Sequence, residues 1–119
     1  MNWTEAEYAA YRARRQGVAP ADNEAERDFQ AWVLTQARRC GWLAYHTHDA
    51  RKSQPGFPDL VLARHGECLM AELKTRTGKL TPEQQTWLSV LASAGVEVHC
   101  WRPGDKEAIS ARLARRQSG

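Results

Sequence analysis

Gly56-Phe57-Pro58-Asp59-Leu60-Val61-Leu62-Ala63, followed after a short turn by Cys68-Leu69-Met70-Ala71-Glu72-Leu73-Lys74, is the stretch that decides the fold of this chain. Asp59 to Ala63 is a short apolar run suited to a central strand, and Pro58 can only precede it, because a proline inside would remove a ladder hydrogen bond. His65-Gly66-Glu67 makes a turn, so Cys68 to Lys74 is predicted to return as an antiparallel partner. Side chains alternate along a strand, which puts Met70, Glu72 and Lys74 on one face and Leu69, Ala71 and Leu73 on the other. Three charges, Asp59, Glu72 and Lys74, therefore converge at a strand end that would otherwise be apolar.

That convergence needs a physical reason, since burying unpaired charge is expensive. Two carboxylates held within a few ångströms repel, and a divalent cation that takes hard oxygen ligands relieves them. Magnesium or manganese fits such a donor set better than zinc, for no thiolate cluster accompanies it. The backbone carbonyl of Leu73 is a further candidate metal ligand, and the Lys74 ammonium would lie beside a water that the metal polarises. The pattern points to hydrolysis. Glu72 and Lys74 alone would also fit an ordinary surface ion pair, worth at most about 1 kcal/mol. It is Asp59, one hairpin's length upstream on an equally apolar strand, that favours the chemical reading.

Outward from this hairpin, Trp42 to His46 reads as a preceding strand, joined to Asp59 by the polar loop Thr47 to Phe57. Arg51 and Lys52 in that loop are candidates for gripping a nucleic-acid backbone, with His46 at the strand end as a phosphate contact. His46, His48 and Asp49 do not suggest a zinc site. Before the strands, Phe29, Val33 and Ala37 recur at helical spacing from Asn23 to Cys40, and Gly41 ends that helix. After them, Thr81-Pro82-Glu83-Gln84 is a helix start with Thr81 as N-cap, and Trp87, Leu88 and Leu91 form the stripe predicted to be buried. Val96 to Trp101 alternates as a fourth strand, and a short helix holding Ile109 and Leu113 follows Arg102-Pro103-Gly104.

The predicted class is α/β: a central mixed four-stranded sheet flanked by helices in the order αβββαβ, with a parallel crossover through the Thr81 helix. Ahead of it, Thr4 and Glu7 make a capping-box pattern, and Gly17 and Pro20 close that segment. Residues 1–20 are thus expected to be a helical arm, and residues 21–119 the main domain. Arg12, Arg14 and Arg15 of the arm could touch nucleic acid, while Trp3, Tyr8 and Tyr11 are candidates for a dimer contact.

Composition sets the outer bounds. The 119 residues suit one domain, which can hide roughly two-thirds of its unfolded surface. No apolar run approaches the about 18 residues that span a bilayer, and Met1 to Glu5 lacks the start of a secretory leader, so a cytoplasmic protein with no membrane partner is expected. Cys40, Cys68 and Cys100 lie far apart and read as buried reduced thiols. The net charge of +3 and pI near 9.0 are compatible with a polyanionic partner.

Gly56 to Leu62, then Glu72-Leu73-Lys74-Thr75, then Gly78-Lys79-Leu80-Thr81-Pro82-Glu83-Gln84, with Tyr45-His46 and Trp101-Arg102-Pro103 as flanking matches, resemble the VRR-NUC family of the PD-(D/E)xK nuclease superfamily. The resemblance runs from about Glu26 to Pro103 and implies a restriction-endonuclease-like core. It implies that Asp59 and Glu72 are metal ligands, Lys74 the catalytic lysine, Glu26 a helical acidic residue completing the metal site, and Gln84 a supporting active-site residue. Glu26 lies on the apolar stripe of its helix but would also serve as capping partner of Asn23, and Gln84 is equally explained by capping with Thr81. Lys79 joins Arg51, Lys52 and His46 as a DNA-contact candidate. Small stand-alone members, often bacterial or from phage-infected hosts, resemble Holliday-junction resolvases. The expectation is therefore a Mg2+- or Mn2+-dependent, structure-specific DNA endonuclease acting as a homodimer on junction DNA. The alternatives are a flap-type or restriction-like nuclease, or a non-catalytic nucleic-acid-binding module.

Overall fold

The computed structural model describes the chain over residues 20–47 and 54–116, with side chains from residue 26. Helix α1 spans Pro20–Arg39, followed by strands β1 (Leu43–His46), β2 (Leu60–Arg64) and β3 (Glu67–Leu73). Helix α2 (Pro82–Ser93), strand β4 (Glu97–Trp101), a 3-10 turn (Pro103–Asp105) and helix α3 (Lys106–Ala114) complete the order. The arm read from Thr4 to Gln16 lies outside the described residues, as do Arg51, Lys52, His48 and Asp49. Pro20, read as closing that arm, is the first residue of α1 instead. A proline there has no helical partner to lose and brings the right φ.

The four strands lie in the order β1-β2-β3-β4. The first three are antiparallel, and β4 runs parallel to β3, with Leu73 opposite Trp101. This is the mixed αβββαβ sheet read from the sequence. Both long helices end as the sequence indicates. Gly41 and Gly95 take left-handed backbone (φ 86° and 89°), and the next amides, of Trp42 and Val96, reach back five residues to Ala37 O and Leu91 O, each at 3.0 Å.

The core occupies one face of the sheet. Phe29, Val33 and Ala37 of α1, one per turn or so, pack with Ile109 and Leu113 of α3 against Leu60, Leu62, Leu69, Ala71 and Leu73. Each fully buried large side chain in this layer stabilises the fold by roughly 1.5–3 kcal/mol. The described residues cover the opposite face only in part. Helix α2 packs mainly on the edge strand β4, and Leu43 and Tyr45 at the other edge are 77% and 62% exposed. Two expectations are corrected: the cysteines are not buried, Cys68 being exposed and Cys40 and Cys100 half-buried, just past the end of α1 and on the edge strand β4, and Trp87, Leu88 and Leu91 are half-buried, with no residue of α2 fully buried. An edge strand offers a helix too little surface to enclose a whole stripe.

A buried charge network ties α3 to the sheet. Arg64 and Arg112, 9% and 7% exposed, both stack on Trp42, with guanidinium carbons 4.2 and 5.4 Å from the ring centre. Glu67 pairs with both arginines, at 2.6 and 3.1 Å, and Glu97 receives two hydrogen bonds from Arg112, at 2.7 and 2.9 Å. Arg64 and Trp42 also donate to the Leu113 carbonyl, each at 2.9 Å, which satisfies a carbonyl in the last turn of α3.

Candidate active site

Asp59 stands at the mouth of β2, delivered there by Pro58, whose ring is fully buried. Its Oδ2 accepts the backbone N–H of Leu73 at 2.9 Å, which fixes the carboxylate against the last residue of β3. Leu73 thus meets the site through its amide, whereas the sequence singled out its carbonyl. Glu72, one residue earlier, faces away from the core layer formed by Ala71 and Leu73, yet is only 3% exposed. Its Oε1 accepts from Gln84 Nε2 at 3.3 Å, and its Oε2 is buried with no hydrogen-bond partner among the described residues.

Two acidic groups are therefore pressed together. Desolvation by burial pushes the Glu72 carboxyl far above the usual carboxylate range, and the neighbouring Asp59 carboxyl pushes it further. Lys74 acts in the opposite sense, and Glu26 adds to the rise. Asp59, Glu72, Lys74 and Glu26, drawn from a loop, a strand, a strand end and a helix, share one electrostatic environment. Lys74 follows β3 and keeps the sheet pairing through its N–H to Trp101 O at 3.0 Å. Among the described residues, no three His, Cys, Asp or Glu side chains stand close enough together to hold a metal, so the close pair is Asp59 and Glu72, with Glu26 at longer range. An orphaned buried carboxylate oxygen facing a second carboxylate is a donor set that suits a hard divalent cation.

Gln84 is bonded both to its own helix start and to Glu72. Its Oε1 accepts from the Thr81 N–H at 2.9 Å and its own N–H donates to Thr81 Oγ1 at 3.1 Å, completing a capping box, while Nε2 holds Glu72. His46 lies at the end of β1, with Nδ1 3.2 Å from Gln30 Nε2, and the neighbouring Thr47 N–H bonds Asp59 O at 3.1 Å. Lys79 is exposed on the loop before α2. Arg102 braces that loop by donating from Nη1 to Thr75 O and Gly78 O, at 2.7 and 2.6 Å.

A cleft of about 160 Å³ opens over the carboxylates, floored by Asp59 and Glu72 and walled by Thr47, Gln84 and the loop Gln54 to Phe57. Sequence reasoning missed how that wall is held. Trp87 donates from Nε1 to Pro55 O at 3.1 Å and meets Phe57 edge to face, 5.2 Å between ring centres. Gly56, at φ 88°, lies so close to α2 that a Cβ there would stand 2.5 Å from the Glu83 carbonyl carbon. A signal for Trp87 was present: three residues after Gln84, it shares that residue's helix face. Gln30, four residues after Glu26, was legible in the same way.

A mixed α/β sheet thus carries two apposed carboxylates and a lysine at its strand ends. The chain belongs to the VRR-NUC domain family, whose model matches residues 3–102. That match begins well ahead of Glu26. Among solved structures, the Holliday junction resolvase Hjc of Archaeoglobus fulgidus aligns with a TM-score of 0.46 and 22% identity, over 67% of each chain, a loose likeness. No curated protein matches the chain.

Proposed function

We propose that this chain is a divalent-metal-dependent DNA endonuclease, in which Asp59 and Glu72 hold the cation, with Glu26 as a more distant acidic partner, and Lys74 serves the attacking water. The observation that carries the reading is Glu72 Oε2, a buried carboxylate oxygen with no partner among the described residues, beside a second carboxylate. A fold retains such a repulsive pair at a cleft when a ligand compensates it. Magnesium or manganese, when bound, would supply Lewis-acid polarisation of the scissile phosphate and of the hydrolytic water.

The remaining roles fall to the chain itself. The Leu73 N–H holds Asp59 in place, and Gln84 holds Glu72 Oε1, so that the oxygens are preset before DNA arrives. Lys74 Nζ orients the nucleophilic water or takes its proton. His46, Lys79 and, from the loop ahead of Gln54, Arg51 and Lys52 contact the phosphate backbone. The DNA structure proposed is the four-way junction, cut by a homodimer so that two sites act on two strands.

The test incubates the protein with labelled junction, flap and linear duplex in magnesium, manganese and chelator, beside Asp59→Asn and Lys74→Ala. Expected is metal-dependent cutting of the junction, a loss of at least about a thousandfold in either variant, and unchanged DNA binding by Lys74→Ala. Preferential cutting of flap or linear DNA would replace the junction assignment. Binding without any cutting would make the chain a nucleic-acid-binding module, and a monomer by sedimentation at micromolar concentration would remove the dimer.

A further inference from the structure

Helix α2 touches the site in two separate places. From its first turn Gln84 reaches Glu72 on β3, and one turn on Trp87 grips the loop that ends at Asp59. Between them, the Glu83 backbone abuts Gly56 so closely that only a residue without a Cβ fits. Pro55, Gly56 and Phe57 lead through the buried Pro58 directly into Asp59, so a hold on them is a hold on its position. Two acidic residues, one at the end of a loop and one on a strand, are thus both referenced to one rigid helix.

Such a brace answers a mechanical need. Asp59 and Glu72 repel when ionised, and Asp59, where the loop joins β2, is held from the β3 side by the Leu73 N–H and on its other side depends on the course of that loop. Trp87 is only half-buried, so its contribution as buried apolar area is modest. What it makes is directional: one N–H to a loop carbonyl and one edge-to-face contact with Phe57, at an interplanar angle of 85°. We propose that Trp87 is a positioning residue for Asp59, and that α2 acts as a bracket setting the separation at which Asp59 and Glu72 jointly take a cation. This inference rests on the nuclease reading above.

The test uses the full chain with Trp87→Phe, which keeps a ring and loses the Nε1–H donor, and Gly56→Ala, which disturbs the bracket from the loop side. Three quantities are read on each: Mn2+ binding without DNA by calorimetry, single-turnover cleavage, and junction affinity in chelator. A small displacement of a reacting group costs one to two orders of magnitude, so Mn2+ affinity and the cleavage rate are each expected to fall about tenfold or more. Junction affinity should stay within about twofold, since the bracket touches the loop and not the DNA. Unchanged Mn2+ binding and cleavage in both variants would overturn the proposal, and so would a parallel loss of junction affinity, which would make Trp87 a DNA contact. Wild type and Asp59→Asn measured alongside separate the two levels: if wild type cuts nothing the nuclease reading fails, if Asp59→Asn cuts normally the place of Asp59 in the metal site fails, and if Asp59→Asn is inactive while both bracket variants match wild type only the bracket fails.

Discussion

At the scale of single residues, Glu72 is where stability and chemistry oppose one another. Its carboxyl is buried with one oxygen unpartnered and with Asp59 against it, so in the absence of a cation the side chain is a liability to the fold. Functional sites commonly carry such a penalty. Glu72→Gln keeps the shape and removes the charge, and is expected to raise the metal-free unfolding free energy by about 1 kcal/mol while abolishing cleavage. Urea titration in chelator checks the first outcome and the junction assay the second; a lower midpoint would mean that the carboxyl is better satisfied than its geometry indicates.

At the scale of elements, α2 is defined by the residues at its start. Thr81, Pro82 and Gln84 form the capping box that the sequence spells out, and the same Gln84 reaches into the site. Helix stability and site geometry are therefore coupled. Thr81→Ala is expected to cost about 1 kcal/mol, and because it frees one end of Gln84, to lower cleavage several-fold more than an equally destabilising change in α3 does. Chemical denaturation and single-turnover rates on the two variants provide the comparison. Equal rates would mean that the cap serves the helix alone.

At the scale of the whole molecule, the Arg64–Glu67–Arg112–Glu97 network fastens α3 to the far side of the sheet. The Arg112 hydrogen bonds hold the Glu97 carboxyl down at about 2 from an ordinary 4.5, with His99 assisting and burial opposing. A depressed carboxyl adds stability above its unfolded pKa and loses it as the pH falls through its folded one, so this contribution is complete above about 4.5 and gone near 2. Glu97→Gln is expected to destabilise the protein at pH 7 by on the order of 2 kcal/mol, after allowance for partial exposure. The two proteins should converge as the pH approaches the folded value, a trend that urea midpoints across the acid range will reveal. A difference that persists unchanged at low pH would assign the effect to packing.

Alternation and helical spacing need only neighbouring residues, and for that reason the sequence by itself determined the hairpin, the sides on which Glu72 and Leu73 fall, the core stripe of α1 and the start of α2. The same local logic brought Asp59 to Glu72, since a tight turn leaves two strands little choice of register. Only the tertiary structure decided how far α2 is buried, because that depends on which strand it lands on, and here it is an edge. Only the tertiary structure placed Trp87 on Pro55, Gly56 on Glu83 and Arg64 under Leu113. Those contacts join residues 27 to 49 positions apart, a separation at which no periodic pattern in the chain records who meets whom.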